Sequence, residues 1–186
     1  TIDENAYRRA RMIADPINLL DASPIGDGAA CLVLAAKDVL GRKIPAPASQ
    51  NRRLIRILAS ANATDTIAVH SRKDPTWLAG AERSARQAYQ QARLSPSEID
   101  FFELHDAFSI MAALSLEASG FADPGQAPRL GLDGQITPDG KIPIATRGGL
   151  KARGHPVGAT GIYQVVETVQ QLRGEAGATQ VKDARI

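Results

Sequence analysis

The chain has 186 residues, 44% of them apolar and 23% charged, enough for one ordinary domain with a real core. Its net charge of +2, from 22 basic and 20 acidic side chains, gives no reason to expect nucleic-acid binding, which needs a clustered basic surface. A single cysteine excludes an internal disulfide and a Cys-rich metal site, and no apolar stretch reaches the length of a membrane span.

The start, Thr1 to Asn5, is no signal peptide and lacks a Met, so the chain reads as a fragment or a processed product. Residues 4–13 are charged and Ala-containing, with Tyr7 and Ala10 on one face. They predict a short helix that ends before Pro16, because the residue before proline avoids the α region. Ile17 to Leu20 is a short apolar piece, and residues 21–28 form a loop rich in turn formers. Ala29 to Ala36 is an unbroken apolar run, the pattern of a strand buried on both faces, with Cys31 as a small hydrophobe within it. Residues 41–50 are a Pro-containing connector and the best internal boundary. Leu54 to Ser60 predicts a second strand, and 62–70 a loop with a short extended stretch.

Leu78, Ala81, Ala85, Ala88, Tyr89 and Ala92 recur at helical spacing and predict a helix over 77–93. Ser95-Pro96-Ser97-Glu98 has the capping-box pattern of a further helical turn. Ile99 to Leu104 predicts a third strand. Asp106 then caps a mostly buried helix to Ser119, stopped by Gly120. Residues 121–147 read as one long Gly- and Pro-rich irregular stretch, a length that usually serves a ligand. Gly158 to Leu172 is the last strong helix. Strand and helix alternate throughout, so the class is α/β. Aromatics are only 4%, so Ala, Leu, Ile and Val must build the core.

Two motifs carry chemistry. His105-Asp106-Ala107-Phe108 lies where a predicted strand ends and a helix begins, the place where open α/β sheets bind ligands. A lone histidine there is more often structural than catalytic, and the main role expected of Asp106 is that of an N-cap. The second motif is Gly148-Gly149, then Gly154-His155-Pro156-Val157-Gly158-Ala159-Thr160-Gly161. Gly154 allows a sharp turn just before His155, and Pro156 suits a first helical turn. Gly158 and Gly161 weaken a helix, so something besides local stability favours them; close packing of a helix N-terminus against a ligand or strand would do so, and plain turn punctuation is the alternative for the glycines alone. Arg52, Arg53 and Arg56 read as a solvated face. Arg147, Lys151 and Arg153 flank the glycines, where a solvated face and an anion contact both stand.

Both motifs resemble those of the thiolase superfamily, in its sterol-carrier-protein-X type and archaeal acetyl-CoA acetyltransferase branch. There a His-Asp-Ala-Phe replaces the Asn-Glu-Ala-Phe of ordinary thiolases. Segments Asp21 to Ala30, Phe121 to Gly125 and Gly140 to Ile144 are similar to family segments as well, so the likeness runs in order over about residues 15–170. It implies the layered αβαβα fold, a mixed sheet with helices on both faces. Residues 1–40 would end the N-terminal domain, and 41–186 would form the C-terminal domain without its last strand. The implied activity is that of an acyl-CoA acyltransferase: Claisen condensation of acyl-CoAs, or thiolysis of a 3-ketoacyl-CoA. His155 would activate a nucleophilic cysteine, and His105 would serve an oxyanion hole for the enolate of the second acyl-CoA. Gly148, Gly149, Gly154 and Gly158 would line the thioester pocket. No cofactor or metal is implied, since coenzyme A is a substrate. A cytoplasmic homodimer or tetramer is expected.

The nucleophilic cysteine of the family would lie upstream of residue 1 and the acid/base Cys-x-Gly beyond Ile186; Cys31 matches neither. The chain is therefore expected to belong to a longer polypeptide or to need a second chain. Ala145-Thr146-Arg147 also stands where relatives carry Asn-Pro-Ser. Two other readings follow. One is a thiolase-fold retro-aldolase acting on a steroid-type acyl-CoA with an OB-fold partner, with Tyr163 as a candidate acid/base. The other is a non-catalytic acyl-CoA-binding homologue.

Overall fold

A computed structural model describes residues 2–39 and 53–186. The connector at 41–50, the proposed boundary after residue 40, and Arg52 lie outside the described residues.

Helix α1 spans Glu4–Arg9, with the Asp3 carboxylate accepting from Ala6 N–H at 2.7 Å. It ends four residues earlier than the sequence pattern predicts. Met12–Ala14 (β1) and Ile17–Asn18 (β2) instead form a small antiparallel hairpin around Pro16. Tertiary hydrogen bonds override the helical pattern here: the Asn18 amide donates to Tyr7 O, and the Tyr7 hydroxyl to Asp21.

The apolar run 29–36 is not a buried strand. It has no regular secondary structure, Val33 is 91% exposed, and Cys31 is exposed rather than packed. Residues 54–60 also carry no strand. An apolar run becomes an interior strand only where neighbours bond its backbone along both edges. Among the described residues nothing pairs with either segment.

Helix α2 covers Ala79–Ala92 and closes on Arg93 in the left-handed region. A single helical turn at Pro96–Glu98 follows, with Glu98 accepting from the Ser95 N–H and hydroxyl, both at 2.8 Å. The segment 99–105 then runs between two layers. Phe102 and Leu104 face α3 (Ser109–Ala118) and α4 (Ala127–Leu132). Phe101 faces Leu172, Val181 and Ala184. That alternation is the two-residue period of a strand. Among the described residues its one sheet-like pairing is a parallel bridge between Phe102 and Ile144.

The main core joins Leu104, Leu116, Ala127 and Ile142, fringed by Phe102 and Phe121 with ring centroids 5.1 Å apart. Only the C-terminal turn of α3 is buried; Phe108 and Ile110 at its start are exposed. The irregular stretch 121–147 contains one helix, α4. Its backbone bonds, such as Ala145 N–H to Phe102 O at 3.1 Å, lay the stretch along the 99–105 segment. The last two helices are α5, Gly149–Arg153, and α6, Thr160–Arg173. No helix among the described residues is long and apolar enough to cross a membrane.

Candidate active site

The two motif histidines, fifty residues apart in sequence, meet edge to face with ring centroids 5.0 Å apart. Each comes from a different support. His105 leaves the C-terminal end of the 99–105 segment, on the same side as Phe101 and Glu103 by the strand period. Leu104 just before it is held by the core and by the Gln164 amide, which donates to its carbonyl.

His155 follows α5 through Gly154, whose φ of 85° and extended ψ turn the chain out of the helix. Its backbone is gripped by the loop 21–28. His155 N–H donates to Pro24 O at 2.8 Å, and Gly26 N–H donates to His155 O at 3.4 Å. The imidazole Nδ1 lies 2.7 Å from the hydroxyl of Thr160, the first residue of α6, itself 2% exposed. A ring whose Nδ1 is bound in this way offers Nε2 for proton transfer.

Gly149 is required by a close approach. A Cβ there would collide with the Asp106 carboxylate, whose oxygens accept from Leu150 N–H at 3.1 and 3.3 Å. Asp106 therefore caps α5, not the helix that follows it in sequence. The N-cap of α3 is Phe108, without a side-chain cap. One carboxylate thus ties the His105 segment to the helix that leads into His155. Gly148 is the residue before α5, and Gly154 the residue after it. Gly158 sits apart in the turn Val157–Ala159, with open space where a side chain would be.

The cations near the glycines serve the scaffold. Lys151 Nζ donates to Leu19 O and Ala22 O, both at 2.7 Å, clamping the 19–22 segment onto α5. Arg153 Nε donates to Glu167 Oε1 at 2.9 Å while its guanidinium lies 5.5 Å from the centre of the Tyr163 ring. An anion-contact role for these two is therefore not what the fold provides; Arg147 alone of the three is exposed. Asp21 completes the loop's anchorage. Burial pushes its carboxyl up, but hydrogen bonds from Ser109, Asn18 N–H and Tyr7, with the charge of Lys151, hold it below the ordinary range.

The surroundings of His105 favour its neutral form. Burial and the neighbouring His155 lower its pKa, Arg153 adds to that, and Asp106 opposes it. A neutral imidazole beside a second imidazole suits hydrogen-bond donation and proton transfer. Among the described residues no group of His, Cys, Asp and Glu is placed to hold a metal ion. Three supports of the pair went unassigned in the sequence: Thr160, the Pro24–Gly26 clamp and Lys151. Thr160 had its place in Gly-Ala-Thr-Gly five residues after His155, Lys151 its place among the cations beside the glycines, and Pro24–Gly26 theirs in the turn-rich loop 21–28, but none of these signals names the partner it holds.

Residues 61–186 match a family model described as thiolase C-terminal domain-like. An acetyl-CoA acetyltransferase of Methanothermobacter thermautotrophicus is 47% identical over 94% of the chain and 44% of its own length. Sterol carrier protein 2 of Bos taurus is 37% identical over 95% of the chain and 32% of its own length. A solved Ltp2-ChsH2(DUF35) aldolase superposes with a TM-score of 0.83 at 22% identity, over 99% of the chain and 46% of its own, a likeness of fold. The chain spans less than half the length of each of these proteins.

Proposed function

The chain belongs to the thiolase C-terminal domain-like family, and from that premise we propose that it carries the histidine side of an acyl-CoA acyltransferase site. The single observation behind the proposal is the convergence of His105 and His155, at 5.0 Å, from two separately anchored segments. The reaction is Claisen condensation of two acyl-CoAs or its reverse, thiolysis of a 3-ketoacyl-CoA.

His155 Nε2 takes the proton of a cysteine thiol supplied from outside this chain. The thiolate attacks the thioester carbonyl, the C–S bond to coenzyme A breaks, and the departing thiolate recovers the proton from His155. Thr160 supports this cycle, because a proton on Nδ1 directed at its hydroxyl leaves Nε2 free to act as base. His105 donates to the enolate oxygen of the second acyl-CoA, a role favoured by its neutral state. Gly148, Gly149 and Gly154 shape the wall of the thioester pocket around α5, and Gly158 offers open backbone beside it. A cytoplasmic homodimer or tetramer completes the proposal; an OB-fold acyl-CoA-binding partner belongs to the retro-aldolase alternative.

The retro-aldolase reading has less support at the residue level. The Tyr163 hydroxyl packs at the seam of Gly28 and Pro156, and its ring lies against Arg153, a packing role. The test is thiolysis of acetoacetyl-CoA by the full-length protein. His155→Ala with the native circular-dichroism spectrum is expected to lower kcat by about a hundredfold or more. Unchanged turnover refutes the assignment.

A further inference from the structure

Behind the histidines lies a buried charged cluster that the proposed reaction does not use. Glu167 of α6 is 94% buried at its side chain and pairs with Arg153 at the end of α5, which is 86% buried. Glu103 lies against this pair and accepts from Thr146 N–H at 3.1 Å through Oε1. The outer oxygens, Glu103 Oε2 and Glu167 Oε2, are both buried and meet no donor among the described residues. Two ionised carboxylates with one guanidinium would leave a bare negative charge and two unsatisfied oxygens in the interior, a costly arrangement. Arg153 Nη1 and Nη2 are likewise buried without an acceptor among the described residues, so a single proton on the carboxyl pair removes the excess charge and gives the outer oxygens a donor, while the guanidinium donors stay unmatched.

The cluster reaches the site through the charge of Arg153, which acts on His105. Glu103 stands two residues before His105 on the same side of its segment, and Arg153 two residues before His155 across the Gly154 turn. The charged and titratable groups around it are Glu103 and His105 from the 99–105 segment, Asp106 at the start of α5, Arg153 at its end, His155, and Tyr163 and Glu167 from α6. Thr146 adds a neutral donor.

We propose that Glu103, Glu167 and Arg153 are positioning residues for His105, and that a proton held by the buried carboxyl pair sets the charge its imidazole feels. With the proton in place the cluster is neutral; without it the cluster carries one negative charge, which favours the protonated form of His105. Burial and the neighbouring Glu167 push the Glu103 carboxyl up to about 7, against the pull of Thr146 N–H and Arg153. The change therefore falls in the range where histidines work. As a statement about catalysis this rests on His155 being the base; as a statement about titration it does not.

The experiment is NMR titration of the full-length native protein, following glutamate carboxyl carbons and histidine ring protons. One glutamate is expected to titrate near pH 7, and the ring signals of His105 to show an inflection at the same pH. Glu103→Gln keeps the acceptor for Thr146 and is expected to abolish both, while reshaping the neutral limb of the kcat profile and leaving KM in place. If every glutamate of the native protein titrates in the ordinary acidic range, the proposal is overturned, whether or not the variant folds. If the inflection is present and vanishes in Glu103→Gln while His155→Ala retains full turnover, the cluster stands and the acyltransferase reading falls.

Discussion

His155 has little freedom. Its backbone is held by Pro24 and Gly26, and its Nδ1 faces the buried hydroxyl of Thr160. Thr160→Val keeps the shape and removes the hydroxyl, so Nδ1 loses its partner and the tautomer its bias. A fall in kcat of roughly tenfold is expected with KM nearly unchanged, since only the proton-transfer geometry is touched. A raised KM with normal kcat would mean that Thr160 serves binding instead. The backbone roles of Gly148, Gly149 and Gly154 were legible in the sequence, because a left-handed backbone or a close approach leaves few residue types to choose from; Gly158 meets neither condition. The partner of Asp106 was not. An N-cap is read from the residues next to it, and here the capped helix starts more than forty residues away.

Helices were read well wherever local rules decide them. The structure has α2 over Ala79–Ala92 and α6 over Thr160–Arg173, close to their apolar periodicity, and the turn after Ser95 has its capping pair. Helix α5 escaped notice because its five residues bury only Gly149 and Leu150 and depend on a distant carboxylate. That dependence can be measured. Asp106→Ala is expected to cost about 1 kcal/mol of stability in chemical denaturation, the usual loss for a helix cap. It should also speed hydrogen exchange at Leu150, while the amides of α3 stay protected. Faster exchange in α3 with α5 unaffected would restore the local reading. Strands fared worst. The 99–104 segment shows the two-sided packing its pattern predicts, but among the described residues 29–36 and 54–60 find no backbone partners of the kind that make an apolar run a strand.

At the scale of the whole molecule, the layered α/β fold was legible from a few ordered motifs, and the family match and superposition bear it out. Buried charge was not legible, because Glu103, Arg153 and Glu167 come together only through tertiary structure. Its consequence for stability has a definite sign. A carboxyl raised from its ordinary 4.5 to about 7 in the fold contributes stability below 4.5 that is lost as pH rises through 7. Glu103→Gln removes that loss, so its stability relative to the native protein should rise on the order of 1–3 kcal/mol between pH 5 and pH 8. A difference that stays constant across this range would show that Glu103 is ionised throughout. The most direct test of the acyltransferase site is acyl transfer itself. When the full-length protein is mixed with acetyl-CoA and followed by intact-protein mass spectrometry, the native enzyme is expected to gain an acetyl group with release of coenzyme A. The His155→Ala variant should remain unacylated; equal acylation of both would contradict the role of His155 on which the account depends.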